Sequence, residues 1–456
     1  MRIIKNENFT FSIGNKLGIE TREFLQDLIK INTSNPPGNE IKKAEFLYEK
    51  FLTEGLEGEI LESEKDRGNF ILKIKGSDPK APSLLLLSHL DVVPADIKKW
   101  KHPPFSGFFD NTFIWGRGAI DCGNITVSES MGLIKAIRDG FKPKGDIILA
   151  ATSDEECGGK YGVIWLLKNH PEKIKTDYVI NEGVGVKLPF GKTPQYLIQH
   201  AEKGVYWTKI ICKGIPAHAS IPELGDNALI KMNKIIYKIN RYKTPVKITP
   251  AYRDLINNIK FNFVIKKLLG NKLTIGLTLS LIKLLMPELS YIFKALTRMT
   301  IVPTMVKSGD KENVIPEYAE VILDCRLLPG QDREYLNFHL KQALGKKIFN
   351  EIEIEPILDE PGTRTIPGDF LYNKIAETMR ELDPDAVLVP FLVPGNSDSK
   401  EFKYLDIPTY GFSPIQEDPE MPIEEALTLA HGINERISEK NLLLATEFIY
   451  NLIKKF

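Results

Sequence analysis

Three short apolar runs, each ending in acidic or imidazole side chains and separated by helix-like stretches, constrain this chain more than any other feature. The first, Leu84 to Leu87, runs into His89 and Asp91 in SHLDVVP; the second, Asp146 to Thr152, leads into Asp154, Glu155 and Glu156; the third, Thr176 to Ile180, runs into Asn181 and Glu182. Ile125 to Arg138, closing at Gly140, and about Tyr161 to Asn169, stopping before Pro171, read as the intervening helices. Such alternation predicts an α/β fold with parallel strands and ligands bound beyond their carboxyl ends. Acids at three successive strand ends repel one another unless cations lie between them. His89 and Asp91, two apart, share a face if the strand continues, so the carboxylate is expected to hold the imidazole nitrogen that is not on a metal.

At 456 residues the chain is longer than one core usually organises, and two domains are expected. Lys plus Arg equals Asp plus Glu at 60 each, which removes any bulk attraction to nucleic acid or to an anionic membrane. Cys122, Cys157, Cys212 and Cys325 form no CxxC pair, and the start MRIIKNENFTFSIG lacks an apolar secretory core. A reduced, cytoplasmic protein is expected. Leu273 to Met286 is strongly apolar but interrupted by Lys283 and followed by Pro287, short of the roughly 20 residues a transmembrane helix needs.

After Lys203 the pattern changes. Val205 to Cys212, Tyr318 to Cys325 and Glu351 to Ile357 read as strands, and Asp226 to Ile239 and Arg333 to Leu344 as helices, a small α+β unit. An apolar helical stretch at about 247–301 is interleaved with it, expected to wall an acyl or side-chain pocket in preference to extending a subunit interface or touching a membrane. From Pro361 the chain returns to α/β character, with a strand near Pro408 to Gly411 and a last helix capped by Ser438. Residues 1–203 and 361–456 thus form one discontinuous domain and 204–360 a second.

WGRGAIDCG, from Trp115 to Gly123, superficially suggests a dinucleotide loop, but Asp121 stands where the third glycine belongs. GKT at Gly191 to Thr193 fails as a phosphate loop, since its leading glycine would fall on Val186. Adding His431 in HGINERIS, the inventory becomes two histidines, Asp121, Glu156 and Glu182, with Glu155 as a candidate base. Mixed nitrogen and oxygen donors of this kind suit a pair of zinc ions.

The chain resembles the M20 family of metallopeptidases and amidohydrolases, most of all its Gly-Xaa carboxypeptidase and N-acyl amino acid hydrolase branch. The resemblance rests on SHLDVVP, GRGAIDCG, SDEECGG, NEG, KGIPAHAS, NVIP, DCRLLPG, GNSDSKEF and HGINERIS, in family order. It implies a zinc-peptidase-like catalytic domain with a mixed, mainly parallel sheet, plus an inserted ferredoxin-like α+β domain serving as lid and dimerisation surface. It further implies two zinc ions per chain, with Co²⁺ or Mn²⁺ as substitutes. Asp121 would bridge them, His89 and Glu182 completing one site and Glu156 and His431 the other. Asp91 would orient His89, and Glu155 would act as general base and acid toward a metal-bridged hydroxide. The Asp121–Cys122 peptide is expected to be cis. His218 would reach the scissile carbonyl, in some members from a partner subunit, and Asn313 and Arg326 would hold the substrate. Lys400 stands where many relatives carry arginine, a point charge in place of a planar fork, so recognition of a substrate carboxylate there is expected to be weaker or differently aimed.

The implied activity is hydrolysis of an amide next to an amino-acid carboxylate, in short peptides such as Gly-Xaa or in N-acyl amino acids, with a homodimer formed through the lid. A reversible N-acyl amino acid synthase is the alternative chemistry. A non-catalytic relative would lack ligands, and none of the six principal positions is missing.

Overall fold

The run Leu84–His89 becomes a fully buried strand at the centre of a nine-stranded sheet. In the computed structural model, which describes residues 9–189, 191–284, 286–421, 425 and 428–456, it pairs in parallel with Ile147–Thr152 on one side and Tyr178–Asn181 on the other, and Thr409–Gly411 extends the parallel set. Leu84 and Leu86 pack with Leu25, Met131 and Phe448 on one face, and Leu85 and Leu87 with Val163, Leu166 and Ile174 on the other. Burial on both faces is why these strands read as continuous apolar runs instead of alternating ones.

Antiparallel strands flank this centre. Glu59–Glu64 and Arg67–Ile74 form a hairpin beside Ile147–Thr152, while Gln195–Glu202 meets Thr409–Gly411 and Thr363–Arg364 antiparallel and Val387–Val393 in parallel. The fold is mixed α/β with a parallel centre, in line with the class read from the sequence. Two of its strands carry weak signals. Val387–Val393 contains Pro390, which argues against a strand, and Gln195–Glu202 carries polar side chains that are nonetheless buried.

A second sheet has the order Thr300–Ser308, Tyr318–Leu327, Gly204–Lys213, Ile352–Glu360, antiparallel throughout. The helices Ala228–Arg241 and Arg333–Leu344 share its core, and the chain order strand, helix, strand, strand, helix, strand is ferredoxin-like. Thr300–Ser308 gives little strand signal because it is a half-exposed edge whose register slips at Pro303. The sheets join where Gln195–Glu202 gives way to Gly204–Lys213 across Lys203, and again between Ile352–Glu360 and Thr363–Arg364. The two connections nearly touch: a Cβ at Gly204 would lie 2.6 Å from the Glu360 carbonyl oxygen, and one at Gly362 would lie 2.9 Å from that of Glu202.

The apolar stretch forms helices Pro250–Asn258, Phe263–Leu269, Ile275–Ile282 and Pro287–Leu296. Tyr252, Leu255, Leu279 and Phe293 pack with Ala201, Val389 and Leu392, so these helices lean on the nine-stranded sheet. Among the described residues no helix is long and apolar enough to cross a membrane, and all four cysteines are free.

Candidate metal centre

His89 is the last residue of its strand, and Asp91 follows outside it. The Asp91 carboxylate is fully buried and accepts hydrogen bonds from Asn35 Nδ2 at 2.8 Å and from the backbone N–H groups of Glu155 and Glu156 at 3.1 Å each. It therefore fixes the turn that carries those two glutamates. His89 Nδ1 lies 3.0 Å from the Asp91 carbonyl oxygen and 3.4 Å from its Oδ1. The turn starts at Asp154, held in the left-handed region (φ 71°) by Arg67 at 2.8 Å and Asn35 at 3.0 Å. Arg67 is fixed in turn by a two-pronged contact with the buried Glu40.

A second buried carboxylate organises the other half. Glu435 accepts the N–H groups of Ile120 at 2.7 Å and Asp121 at 3.1 Å and pairs with Arg117 at 2.5 Å; Arg117 also donates to the His431 carbonyl oxygen at 3.2 Å. One ion pair thus joins Asp121 to His431 across most of the chain. The Asp121–Cys122 peptide is cis.

These supports make five side chains converge. His89 Nε2 lies 3.1 Å from Asp121 Oδ1 and 3.5 Å from Glu182 Oε2, while His431 Nε2 lies 3.1 Å from Asp121 Oδ2 and 3.0 Å from Glu156 Oε2. Each oxygen of Asp121 faces a different histidine. Nitrogen and oxygen donors about 2.0–2.1 Å from a tetrahedral zinc ion stand about 3.3 Å apart, close to the spacing here. Two further observations fit cations at this place. Glu156 Oε1 is buried without a hydrogen-bond partner, and hydrogen bonds from His431 to Asp121 and Glu156 push its imidazole up to about 10, so the cluster favours positive charge. His89, Asp121 and Glu156, and separately His89, Cys122 and Glu182, bring donor atoms within metal-binding reach. Burial pushes the Cys122 thiol up to about 12, and its Sγ exchanges hydrogen bonds with the His89 backbone, so it serves as packing.

Glu155 lies beside the cluster with no ion-pair partner of its own among the described contacts; burial, then the charge of Glu182, raises its carboxyl well above the usual range. Asp398, unflagged by the sequence reading, is buried with one oxygen unpartnered, and burial pushes it up to about 7 against the pull of Lys400. Lys400 is buried, with Nζ 3.6 Å from Glu360 Oε2. Of the supporting groups, Arg117, Glu435 and Asp398 fall inside recognisable motifs but lack a signal for their roles, and Asn35, Arg67 and Glu40 have none.

The three residues expected to contact the substrate do not gather in one place. Arg326 pairs across the sheet with Val205, at the end next to the nine-stranded sheet, and grips Asp324 through two contacts of 2.7 and 3.0 Å. His218 and Asn313 lie in adjoining exposed loops beyond the opposite end, past the Lys213–Tyr318 pair, where the Ala219 N–H donates to the Asn313 carbonyl at 3.0 Å. At about 3.3 Å per residue, the strand between these ends spans roughly 26 Å.

The Glu435 arrangement yields a direct expectation. Glu435→Ala strands Arg117 in the interior and should cost about 3–5 kcal/mol of stability, with metal affinity lowered about 10–100-fold; denaturant unfolding and metal titration measure the two.

A parallel-centred sheet with imidazoles and carboxylates gathered beyond its strand ends, joined to a ferredoxin-like unit, defines a hydrolase of the metallopeptidase class. Residues 85–455 match Peptidase family M20/M25/M40, and the chain belongs to that family. It is 28% identical over 408 residues to the probable carboxypeptidase S-like 2 of Dictyostelium discoideum, covering 83% of this chain and 73% of that one. It is 26% identical to the N-fatty-acyl-amino acid synthase/hydrolase PM20D1 of Xenopus tropicalis, covering 99% and 88%. Its fold matches that of the M20 family metallo-carboxypeptidase Sso-CP2 from Sulfolobus solfataricus with a TM-score of 0.71 at 22% identity, covering 96% of this chain and 99% of that one.

Proposed function

We propose that this chain hydrolyses the amide bond next to an amino-acid carboxylate, in short peptides such as Gly-Xaa or in N-acyl amino acids, with two divalent metal ions, zinc in the first place. The observation that carries the reading is Asp121, whose two oxygens face His89 and His431 separately while Glu182 and Glu156 complete the two halves. His89 and Glu182 would hold one ion, His431 and Glu156 the other, and Asp121 both. Bound there, the ions would polarise the scissile carbonyl and lower the pKa of water. Glu155, anchored through its backbone to Asp91, takes the proton of the attacking water and returns it to the leaving amine. Asp91 keeps His89 and the Glu155–Glu156 turn in register.

Residues 1–203 and 361–456 form the catalytic domain in this reading, and 204–360 the lid. Arg326 receives the substrate carboxylate. Because His218 and Asn313 stand roughly 26 Å up the sheet from Arg326, both are assigned to the site of a second subunit in a homodimer, with His218 stabilising the oxyanion and Asn313 holding the substrate. His218→Ala should lower kcat by about 10²–10³-fold with metal content unchanged. Mixing His218→Ala chains with Glu155→Ala chains should restore activity, because one site of the mixed dimer then has both groups. Failure of complementation would return His218 to its own subunit.

The deciding assay compares Gly-Xaa dipeptides, N-acetyl amino acids and long-chain N-acyl amino acids on zinc-loaded protein. The last group is also assayed in the condensing direction at high amine concentration, where formation of product would establish the reversible synthase. Inertness toward every amide beside a carboxylate would sink the proposal.

A further inference from the structure

We infer that helices Phe263–Leu269 and Ile275–Ile282, with the segment joining them, form a docking surface for an anionic phospholipid membrane. Leu273, Leu277, Leu281 and Leu284 repeat at helical spacing, the pattern by which a helix usually buries one face. Here that stripe points outward: Leu273 is 90% exposed, Leu277 70% and Leu284 80%, while Ile275 and Leu279 on the opposite side are fully buried against the body of the protein. On the neighbouring helix Phe263 is 77% exposed and Val264 60%, so both helices carry exposed apolar side chains. Large apolar side chains left in solvent together mark an interaction surface.

Charge selects the occupant. Between Asp254 and Glu288 the chain has no acidic residue and five lysines, at 260, 266, 267, 272 and 283. Four of these are exposed and Lys266 half-exposed, its ammonium donating to the Asn257 carbonyl at 2.9 Å. Immediately before Leu273 lies an open groove of about 470 Å³, lined in part by Lys247, Arg253, Asn271 and Lys272. A second copy of this chain docked about a twofold axis would set lysines against lysines. An anionic bilayer complements both features at once, with leucines entering the acyl boundary and lysines meeting the headgroups. The helices have seven and eight residues, too short to span, so they lie in the plane of the interface.

The test is co-sedimentation of the full chain with phosphatidylcholine vesicles with and without phosphatidylserine. Binding is expected to the mixed vesicles, weakening as salt rises. It should fall about tenfold or more in Leu273→Ser/Leu277→Ser/Leu281→Ser and in Lys266→Glu/Lys267→Glu/Lys272→Glu. Circular dichroism and thermal unfolding should match the parent, because the replaced side chains are largely in solvent. Indifference of the parent to both vesicle types overturns the inference, as does undiminished binding by both variants. So does a leucine variant that only dissolves a larger assembly, since the surface then receives a second copy. Vesicle binding is read without turnover, so its failure leaves the hydrolase reading standing, and the reverse.

Discussion

Glu155→Ala is expected to reduce turnover by about 10²–10⁴-fold while the metal content of the protein stays unchanged. A positioned carboxylate acting as base and acid is worth that much in rate. The retention of metal follows from geometry: the short contacts among imidazoles and carboxylates involve His89, Asp121, Glu156, Glu182 and His431, and Glu155 enters none of them. Its carboxyl is held high by burial, then by Glu182, which suits a group that must accept and release a proton. Metal analysis and single-turnover kinetics on the same preparation separate the roles. Loss of metal with loss of rate would make Glu155 a ligand, and unchanged turnover would remove it from the reaction.

Removing the metal should abolish activity and make stability strongly dependent on pH. Without cations, Glu155, Glu182 and Asp398 are raised above their ordinary values chiefly by burial, and His431 is pushed up to about 10 by its hydrogen bonds to Asp121 and Glu156. A group whose folded-state pKa is raised contributes stability below its unfolded pKa and loses it as pH rises through the folded value. All four act in the same direction. The metal-free protein should therefore lose stability from about pH 5 upward, through about 7 for Asp398 and about 10 for His431. Metal at about a hundred times its Kd restores about 2.7 kcal/mol per site. Thermal unfolding with and without chelator should show the gap in Tm widening as pH rises, and zinc, cobalt or manganese should restore activity. A constant gap would mean that the carboxylates are not what the metal neutralises.

Much of the centre was legible because strand ends carry their chemistry in the local sequence. A strand buried on both faces must be apolar, so the polar residues that end Leu84–His89, Ile147–Thr152 and Tyr178–Asn181 stand out. Strands at the margins obeyed no such rule. Val387–Val393 keeps Pro390, and Gln195–Glu202 places Gln199 and Glu202 in a buried hydrogen-bond network with Ser397 that no local pattern announces.

The sequence by itself determined the chemistry available, namely which acids and imidazoles exist, on which strand ends and in which motifs. Only the tertiary structure decided how they are held. Asp91 acts on the Glu155–Glu156 turn as well as on His89, and Glu435 with Arg117 ties Asp121 to His431. It also separated Arg326 from His218 and Asn313 by the length of a strand, and turned Leu273, Leu277, Leu281 and Leu284 outward while burying Leu279. The reason is physical: periodicity records which residues share a face of their own element, whereas long-range packing decides what that face meets.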